Sequence, residues 1–120
     1  MYEIGTSIKF SSAHNLREYK GKCERLHGHN YKVEIVVYGE NLTNGMLMDF
    51  VLLKQHLKDI ASIMDHAYLN ELEAFREIEP SSENIAKYVY ESLKTRLPDN
   101  VRIKYSKVWE SDDNWAIYTK

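Results

Sequence analysis

Polar and apolar residues alternate in two stretches near the start of the chain. Even-numbered positions from Ile4 to His14 would share one face of a strand, because successive side chains of a strand point to opposite faces. Odd-numbered positions from His27 to Val37 repeat the pattern. The segment 15–26 between them is polar, with four basic residues against two acidic ones. The pattern predicts two strands joined by a locally basic loop.

Apolar residues then recur at intervals of three and four, the spacing of an amphipathic helix. The first such stripe covers 50–64, and Asp49 is a suitable N-cap before it. The second covers 86–97, after Pro80 and two serines that favour a helix start, and Pro98 ends it. Two helices are therefore predicted in the middle of the chain.

Two further strands are predicted at 101–110 and 115–119, separated by a turn rich in Asp and Asn. The order ββααββ indicates an α+β fold in which a four-stranded antiparallel sheet carries both helices on one face. The length of 120 residues fits a single domain over 1–120. Such an open sheet has two edges that must be shielded or paired with another subunit.

Composition excludes several classes of function. A formal charge of −2 argues against a generally basic nucleic-acid binder and gives no reason to expect a membrane partner. No apolar run approaches the ~18 to 20 residues that a membrane helix needs, and the first residues lack the features of a signal peptide. A single cysteine cannot form an intrachain disulfide, so a reducing cytoplasm is the expected location.

Three of the five histidines are placed to meet at one end of the sheet. His27 and His29 share a face of their strand, and His14 ends the neighbouring strand. Three imidazoles with an open fourth position form a catalytic zinc site, although other divalent first-row metals also accept this ligand set. The alternative is that the His-Gly-His segment is only a polar strand end.

Cys23 lies in the basic loop, four residues before His27. Nearby positive charge lowers the pKa of a thiol and favours the thiolate, which could act as a general base. The alternative is that Cys23 is a small buried apolar residue, although its charged sequence neighbours do not favour burial.

Two acidic positions are further candidates. Asp65 and His66 are adjacent at the end of the first predicted helix, and such a pair suits a base with an orienting partner. A histidine there could equally bind the last helical carbonyls. Glu110 ends an apolar strand and could accept two adjacent N–H donors of a guanidine-like ligand, or be an exposed strand-end residue.

The sequence Cys-Glu-Arg-Leu-His-Gly-His at 23–29, with His14 upstream, resembles the Cys-x-x-x-His-Gly-His signature of the 6-pyruvoyl-tetrahydropterin synthase and 6-carboxytetrahydropterin synthase family. Three further motifs of that family follow in order: Gly-Met-Leu-Met-Asp-Phe at 45–50, Met-Asp-His-Ala-Tyr-Leu-Asn at 64–70, and Pro-Ser-Ser-Glu-Asn at 80–84. The resemblance therefore covers nearly the whole chain.

The resemblance implies the tunnelling fold, in which three subunits join their sheets into a β-barrel and two rings stack into a hexamer with active sites between subunits. It also implies a role for each candidate residue. Zn²⁺ would be held by His14, His27 and His29. Cys23 would accept a proton, with Asp65 and His66 completing a proton relay. Glu110 would anchor the pterin, with Ser81, Ser82 or Glu83 nearby.

The implied substrate is 7,8-dihydroneopterin triphosphate. A lyase of the queuosine (7-deazaguanine) pathway would convert it to 6-carboxy-5,6,7,8-tetrahydropterin and release triphosphate and acetaldehyde. Two alternatives remain within the family. The product could be 6-pyruvoyl-tetrahydropterin, or the enzyme could have a dual role and also make 6-hydroxymethyl-dihydropterin for folate. Glu24 directly after Cys23 resembles the motif of the members with that dual role. An alternative of another class is a pterin- or metal-binding module without turnover.

Overall fold

The computed structural model describes residues 1–17 and 25–120. The described residues form a five-stranded sheet with the strand order β3-β1-β2-β4-β5. In chain order, the elements are β1 (Tyr2–His14), β2 (His27–Gly39), α1 (Phe50–Ala61), β3 (Ala67–Tyr68), α2 (Ser82–Lys94), β4 (Arg102–Trp109) and β5 (Trp115–Tyr118). Within these residues, no helix is both long and apolar enough to cross a bilayer.

The four long strands and both helices confirm the predicted ββααββ order. β1, β2, β4 and β5 pair antiparallel, and both helices contact the sheet. Asp49 caps α1 by accepting a hydrogen bond from the Val51 amide at 2.8 Å, as predicted. The first helix is shorter than its apolar stripe, because α1 ends at Ala61 while Met64 remains buried in the turn that follows.

The sheet has five strands, so the prediction of four was wrong by one. β3 has only two residues and lies parallel to the outer edge of β1, where Ala67 pairs with Ser12. The preceding residue, His66, adopts a positive φ of 56° and donates its N–H to the Ser11 carbonyl at 2.6 Å. A strand this short has no detectable periodicity, so the alternation of side chains cannot reveal it.

The core lies between the helices and one face of the sheet. Tyr31, Val33 and Ile35 of β2 are fully buried there, which confirms the predicted alternation. They belong to one apolar cluster with residues of both helices, including Leu53 and Val89. Burial of a side chain of this size contributes about 1.5–3 kcal/mol. The register that buries these residues also pairs His14 with His27, so the core fixes the position of the histidines.

The opposite face of the sheet contains a coupled pair of ionisable groups. The Tyr105 hydroxyl donates a hydrogen bond to Glu34 at 2.7 Å. This bond raises the pKa of Tyr105 to about 12, and partial burial acts in the same direction. A carboxylate acceptor stabilises the neutral phenol and disfavours its ionisation.

We expect this bond to make stability depend on alkaline pH. The folded pKa is raised, so the stabilisation is complete below the ordinary value of 10.0 and is lost as the pH rises through about 12. Phenolate absorbance should show a late-ionising fraction of the nine tyrosines in the wild type, to which Tyr90 also contributes because burial raises its pKa. The late phase should lose the amplitude of one tyrosine in Tyr105→Phe and keep its full amplitude in Tyr2→Phe, which removes an exposed tyrosine. An undiminished late phase in Tyr105→Phe would contradict the assignment.

Candidate metal and pterin site

Three imidazoles and one carboxylate converge where β1 ends and β2 begins. His14, His27, His29 and Glu110 each offer one ligand atom, and these four atoms lie within 4.8 Å of one another. The Nε2 atoms of His14 and His27 are 3.1 Å apart. Glu110 Oε1 lies 2.9 Å from His29 Nε2 and 3.4 Å from His14 Nε2. The structure therefore brings together the three predicted metal ligands and adds Glu110 to them.

Two backbone carbonyls fix the tautomers of the histidine rings. His14 Nδ1 lies 2.7 Å from the Pro80 carbonyl oxygen, and His27 Nδ1 lies 2.7 Å from that of Arg25. A carbonyl oxygen can only accept, so both Nδ1 atoms carry the proton and donate it. The Nε2 atoms of both rings are then left with a lone pair pointing into the cluster. A carbonyl bound to the outer nitrogen is the usual support for a metal-ligating histidine.

The cluster fits a divalent cation. His29 Nε2 is buried and makes no hydrogen bond of suitable geometry within the described residues, although Glu110 is close. The facing lone pairs of His14 and His27 repel unless a positive charge, either a proton or a metal ion, lies between them. Three imidazole nitrogens and a carboxylate oxygen form a donor set that suits zinc. His14, His27 and His29 would hold the ion, and Glu110 is close enough to be a fourth ligand.

The electrostatics of the cluster favour the ligand forms of these groups. Burial lowers the pKa of His29, and the neighbouring His14 and His27 lower it further against an opposing effect of Glu110. A hydrogen bond from protonated His14 lowers the pKa of the Glu110 carboxyl despite its partial burial, and a positive charge on His29 adds to this effect, as a bound cation would. Neutral imidazole and ionised carboxylate are the forms that bind metal.

The Asp65–His66 pair lies at the outer edge of β1. Asp65 Oδ1 is 3.0 Å from His66 Nδ1 and accepts the Ser11 N–H at 3.0 Å. The Ser11 hydrogen bond lowers the pKa of Asp65, and the charge of His66 adds to the effect. The His66 side chain is 82% exposed. It lines a cavity of about 500 Å³ together with His29, but within the described part of the chain no hydrogen bond joins the pair to the cluster.

The backbone at His66 is strained. Its φ of 56° lies in the left-handed region, which costs a residue with a side chain about 1–2 kcal/mol. Two hydrogen bonds with Ser11 hold the pair in place. The His66 N–H donates to the Ser11 carbonyl, and the Ser11 N–H donates to the Asp65 carboxylate. Strain retained in this way is frequent at functional sites, because it orients a reactive side chain.

The start of α2 contributes the remaining candidate residues. Ser82 Oγ donates to Glu110 Oε2 at 3.4 Å. Ser82, Glu83 and Glu110 line one cavity of about 320 Å³, together with residues that include Asn114. The structure therefore places these three predicted substrate-binding residues around one space. Ser81 differs, because its hydroxyl accepts the Asn84 N–H at 3.2 Å as the N-cap of α2.

Because Ser81 caps α2, we predict that it stabilises the fold. Ser81→Ala should lower the free energy of unfolding by about 1 kcal/mol, because it removes the cap of α2. Ser81→Asp preserves a capping oxygen and should restore the stability. Denaturant unfolding of the three proteins measures the difference. Equal stability of Ser81→Ala and wild type would contradict the capping role.

Sequence reasoning did not identify the structural role of Arg17. Its guanidinium donates to the carbonyls of Phe75 at 2.6 Å and Asn70 at 3.0 Å, and it pairs with Glu79 at 3.4 Å. These bonds hold the segment that leads to Pro80, whose carbonyl orients His14. The only signal in the sequence was a basic residue in a basic loop. Every residue has a backbone carbonyl, so the sequence does not mark the carbonyls that accept from Arg17. Cys23 and Glu24 lie outside the described residues.

Comparisons with known proteins point to one family. A family model described as 6-pyruvoyl tetrahydropterin synthase matches residues 3–120. A protein of Archaeoglobus fulgidus, provisionally named 6-carboxy-5,6,7,8-tetrahydropterin synthase, is 39% identical over 94% of this chain and 91% of its own length. The dihydroneopterin monophosphate aldolase of Pyrococcus furiosus is 34% identical over 87% of this chain and 85% of its own.

A solved structure also matches the fold. The 6-pyruvoyl tetrahydropterin synthase of Caenorhabditis elegans superposes with a TM-score of 0.88 at 29% sequence identity. The match covers 99% of this chain and 95% of the other. The sheet with two helices is therefore the fold of that protein, as the ordered motifs predicted.

Proposed function

The chain belongs to the 6-pyruvoyl tetrahydropterin synthase family, and on this basis we propose that it is a zinc-dependent lyase. It converts 7,8-dihydroneopterin triphosphate to 6-carboxy-5,6,7,8-tetrahydropterin, with release of triphosphate and acetaldehyde, for queuosine biosynthesis. The observation that carries the proposal is the convergence of His14, His27 and His29 with their ligand atoms facing one another. The provisional name of the archaeal relative supports the choice of product.

Proton transfer divides between two groups. Zinc, when bound, supplies Lewis acidity that makes the C–H bond beside the substrate's side-chain hydroxyls acidic. Cys23 accepts this proton as a thiolate. His66 then carries protons to and from the pterin, because its exposed ring faces the cavity that His29 also lines. Asp65 holds the ring through Nδ1 at 3.0 Å and so orients it for proton transfer.

Glu110 orients the pterin. One of its oxygens faces the histidines, and the other accepts from Ser82 and borders the cavity at the start of α2. A carboxylate can accept two N–H donors in parallel, as the amino-pyrimidine edge of a pterin offers them. Ser82 and Glu83 would form the wall of this pocket, and Ser81 would shape it through the helix cap.

The exposed edges of the sheet support an oligomer. β5 is an edge strand with Trp115 and Ile117 about half exposed, and β3 covers only two residues of the other edge. Unpaired edges with apolar side chains favour pairing with another chain. A hexamer of two trimeric barrels would close both edges, and its sites would lie between subunits. The use of a single cysteine as a thiolate fits a reducing cytoplasm.

A second candidate is an aldolase activity that yields 6-hydroxymethyl-dihydropterin. It is favoured by Glu24 directly after Cys23 and by the name of the Pyrococcus relative. Formation of 6-pyruvoyl-tetrahydropterin is the other outcome within the family.

Product identification tests the assignment. Zinc-loaded protein is incubated with 7,8-dihydroneopterin triphosphate, and the products are separated and identified by mass spectrometry. We expect 6-carboxy-5,6,7,8-tetrahydropterin with triphosphate and acetaldehyde. The aldolase product or the 6-pyruvoyl product would select another branch. Pterin binding without any product would mean a non-catalytic module.

Glu110→Gln separates the two roles that the geometry allows. If Glu110 anchors the pterin, the variant should retain zinc and lose about 10²-fold in kcat/KM, the effect of losing a hydrogen bond to a charged group. Zinc content by elemental analysis and steady-state kinetics measure both quantities. Loss of zinc from Glu110→Gln would instead make the carboxylate a metal ligand. Glu91→Gln offers a matched control, because it makes the same change of charge at an exposed position of α2 that does not line the cavity.

A further inference from the structure

The chain beyond β1 is bound closely to the segment that precedes α2. His14, the last residue of β1, is only 1% exposed. Asn15 and Asn70 form a reciprocal pair. The Asn15 N–H donates to the Asn70 side-chain oxygen at 3.0 Å, and the Asn70 side-chain amide donates to the Asn15 carbonyl at 2.9 Å. The Arg17 N–H donates to the Glu79 carboxylate at 2.5 Å. The end of β1 is therefore fixed against this segment.

The Arg17 guanidinium binds the same segment at four points. It donates to the backbone carbonyls of Phe75 at 2.6 Å, Asn70 at 3.0 Å and Ile78 at 3.2 Å. It also pairs with the Glu79 carboxylate at 3.4 Å. We call Arg17 with these four residues the arginine clamp. A guanidinium suits this role because its planar fork carries five N–H donors, whereas a lysine ammonium is a compact point charge.

The clamped segment has little regular structure of its own. Its helical parts are two 3₁₀ turns of three residues each, Leu69–Glu71 and Glu73–Phe75. Such short turns form few internal hydrogen bonds. The arginine clamp spans both turns and ends at Glu79, directly before Pro80. The Asn84 side chain also donates to the Glu79 carbonyl at 2.9 Å. The position of Pro80 is therefore set by side chains that bind its neighbour.

The Pro80 carbonyl passes this restraint on to the histidine cluster. It accepts the Nδ1–H of His14 at 2.7 Å and so holds the ring with Nε2 toward His27. The Tyr31 hydroxyl lies 3.1 Å from the same Nδ1. A displaced Pro80 would therefore leave the ring with a competing partner. Hydrogen-bond partners of this kind orient metal-binding histidines, and their loss costs about 10- to 100-fold in metal affinity.

We propose that Arg17 is a positioning residue for the metal site and raises the affinity of the three histidines for a divalent cation. The arginine clamp does so by holding the Pro80 carbonyl against His14. This inference rests on the metal site of the proposed function. A clamp that only stabilised the fold would leave the metal affinity of the folded protein unchanged.

The zinc affinity of folded variants tests the proposal. Each zinc-free protein is titrated with Zn²⁺ in competition with a chelating dye, and circular dichroism checks the fold. Arg17→Gln should weaken zinc binding about 10- to 100-fold. Arg17→Lys keeps the charge beside Glu79 but lacks the planar fork, so it should recover only part of the affinity. It is also the milder change if Arg17→Gln does not fold. Wild-type affinity in either folded variant would overturn the proposal.

Arg76→Gln is the matched control. Arg76 lies in the same segment, but its side chain is 64% exposed and pairs with Glu73 at 2.9 Å, outside the arginine clamp. It should bind zinc as the wild type does. Equal weakening in Arg76→Gln would mean that the loss of any arginine from this region lowers the affinity, and the specific role of Arg17 would be wrong.

The His14 ring offers a readout that a merely structural role would not move. Nitrogen-edited NMR of the zinc-saturated protein should show a slowly exchanging Nδ1 proton on His14, because the Pro80 carbonyl binds it. This proton should exchange faster in Arg17→Gln and remain slow in Arg76→Gln. If zinc affinity falls while the His14 proton is unchanged, Arg17 acts by another route and the proposal fails.

Zinc titration also separates this inference from the proposed function, because it needs no pterin. If the wild type releases the expected products and the Arg17 variants bind zinc equally well, the positioning role is overturned while the lyase assignment stands. If Arg17→Gln weakens zinc binding but the wild type releases no product, the positioning role stands and the lyase assignment fails.

Discussion

Alanine in place of His29 should give a folded protein that binds no zinc and turns over 7,8-dihydroneopterin triphosphate about 1000-fold more slowly or worse. A bound metal contributes several kcal/mol to stabilising a transition state, and each 1.36 kcal/mol corresponds to a factor of ten in rate. His29 Nε2 is the ring nitrogen left without a hydrogen bond of suitable geometry in the described structure. Its replacement therefore removes a metal ligand and breaks no hydrogen bond made by that nitrogen.

Elemental analysis and steady-state kinetics on the purified variant measure these losses, and circular dichroism checks the fold. His56→Ala is the control, because His56 is a half-buried histidine on α1 and does not belong to the cluster. It should retain one zinc per chain and full activity, since alanine is well tolerated within a helix. One equivalent of zinc in His29→Ala would contradict the three-histidine site.

The metal cluster was predictable from the sequence because strand geometry is regular. Side chains two apart share a face, and antiparallel pairing across the connection 15–26 brings His14 opposite His27. The apolar residues that follow, such as Tyr31 and Val33, set this register through their burial. The same alternation therefore encodes both the core and the positions of the three clustered histidines.

Contacts made by the backbone could not be predicted in the same way. The carbonyls of Pro80 and Arg25 fix the tautomers of His14 and His27, yet every residue has a carbonyl and the sequence does not mark these two. The approach of Glu110 to both the histidines and Ser82 depends on how β4 and α2 pack. The motifs linked these residues only through a family resemblance.

The position of Asp65 and His66 shows a further limit. Sequence reasoning placed the pair at a helix end, whereas the structure holds it at the edge of β1 through Ser11. The positive φ of His66 is not expected from a residue with a side chain.

Cys23→Ala should have the opposite metal phenotype to His29→Ala: it should retain zinc and lose turnover. The proposed roles differ, because His29 binds the ion and Cys23 accepts the proton. General-base catalysis contributes about 10²–10⁴-fold, so kcat should fall by that amount while zinc content remains one per chain. Loss of zinc from Cys23→Ala would make the thiolate a metal ligand and overturn its role as the base.

Alkylation gives a second measurement on the unmodified sequence. Cys23 is the single cysteine of the chain, so inactivation by iodoacetamide can be assigned to it without mapping. A thiolate base with Lys22 and Arg25 as sequence neighbours should react fastest above a midpoint well below the ordinary thiol pKa of ~8.5, because positive charge stabilises the anion. Saturating substrate should protect the thiol if the pterin lies against it. An alkylated protein with full activity would exclude Cys23 from catalysis, whatever the zinc content.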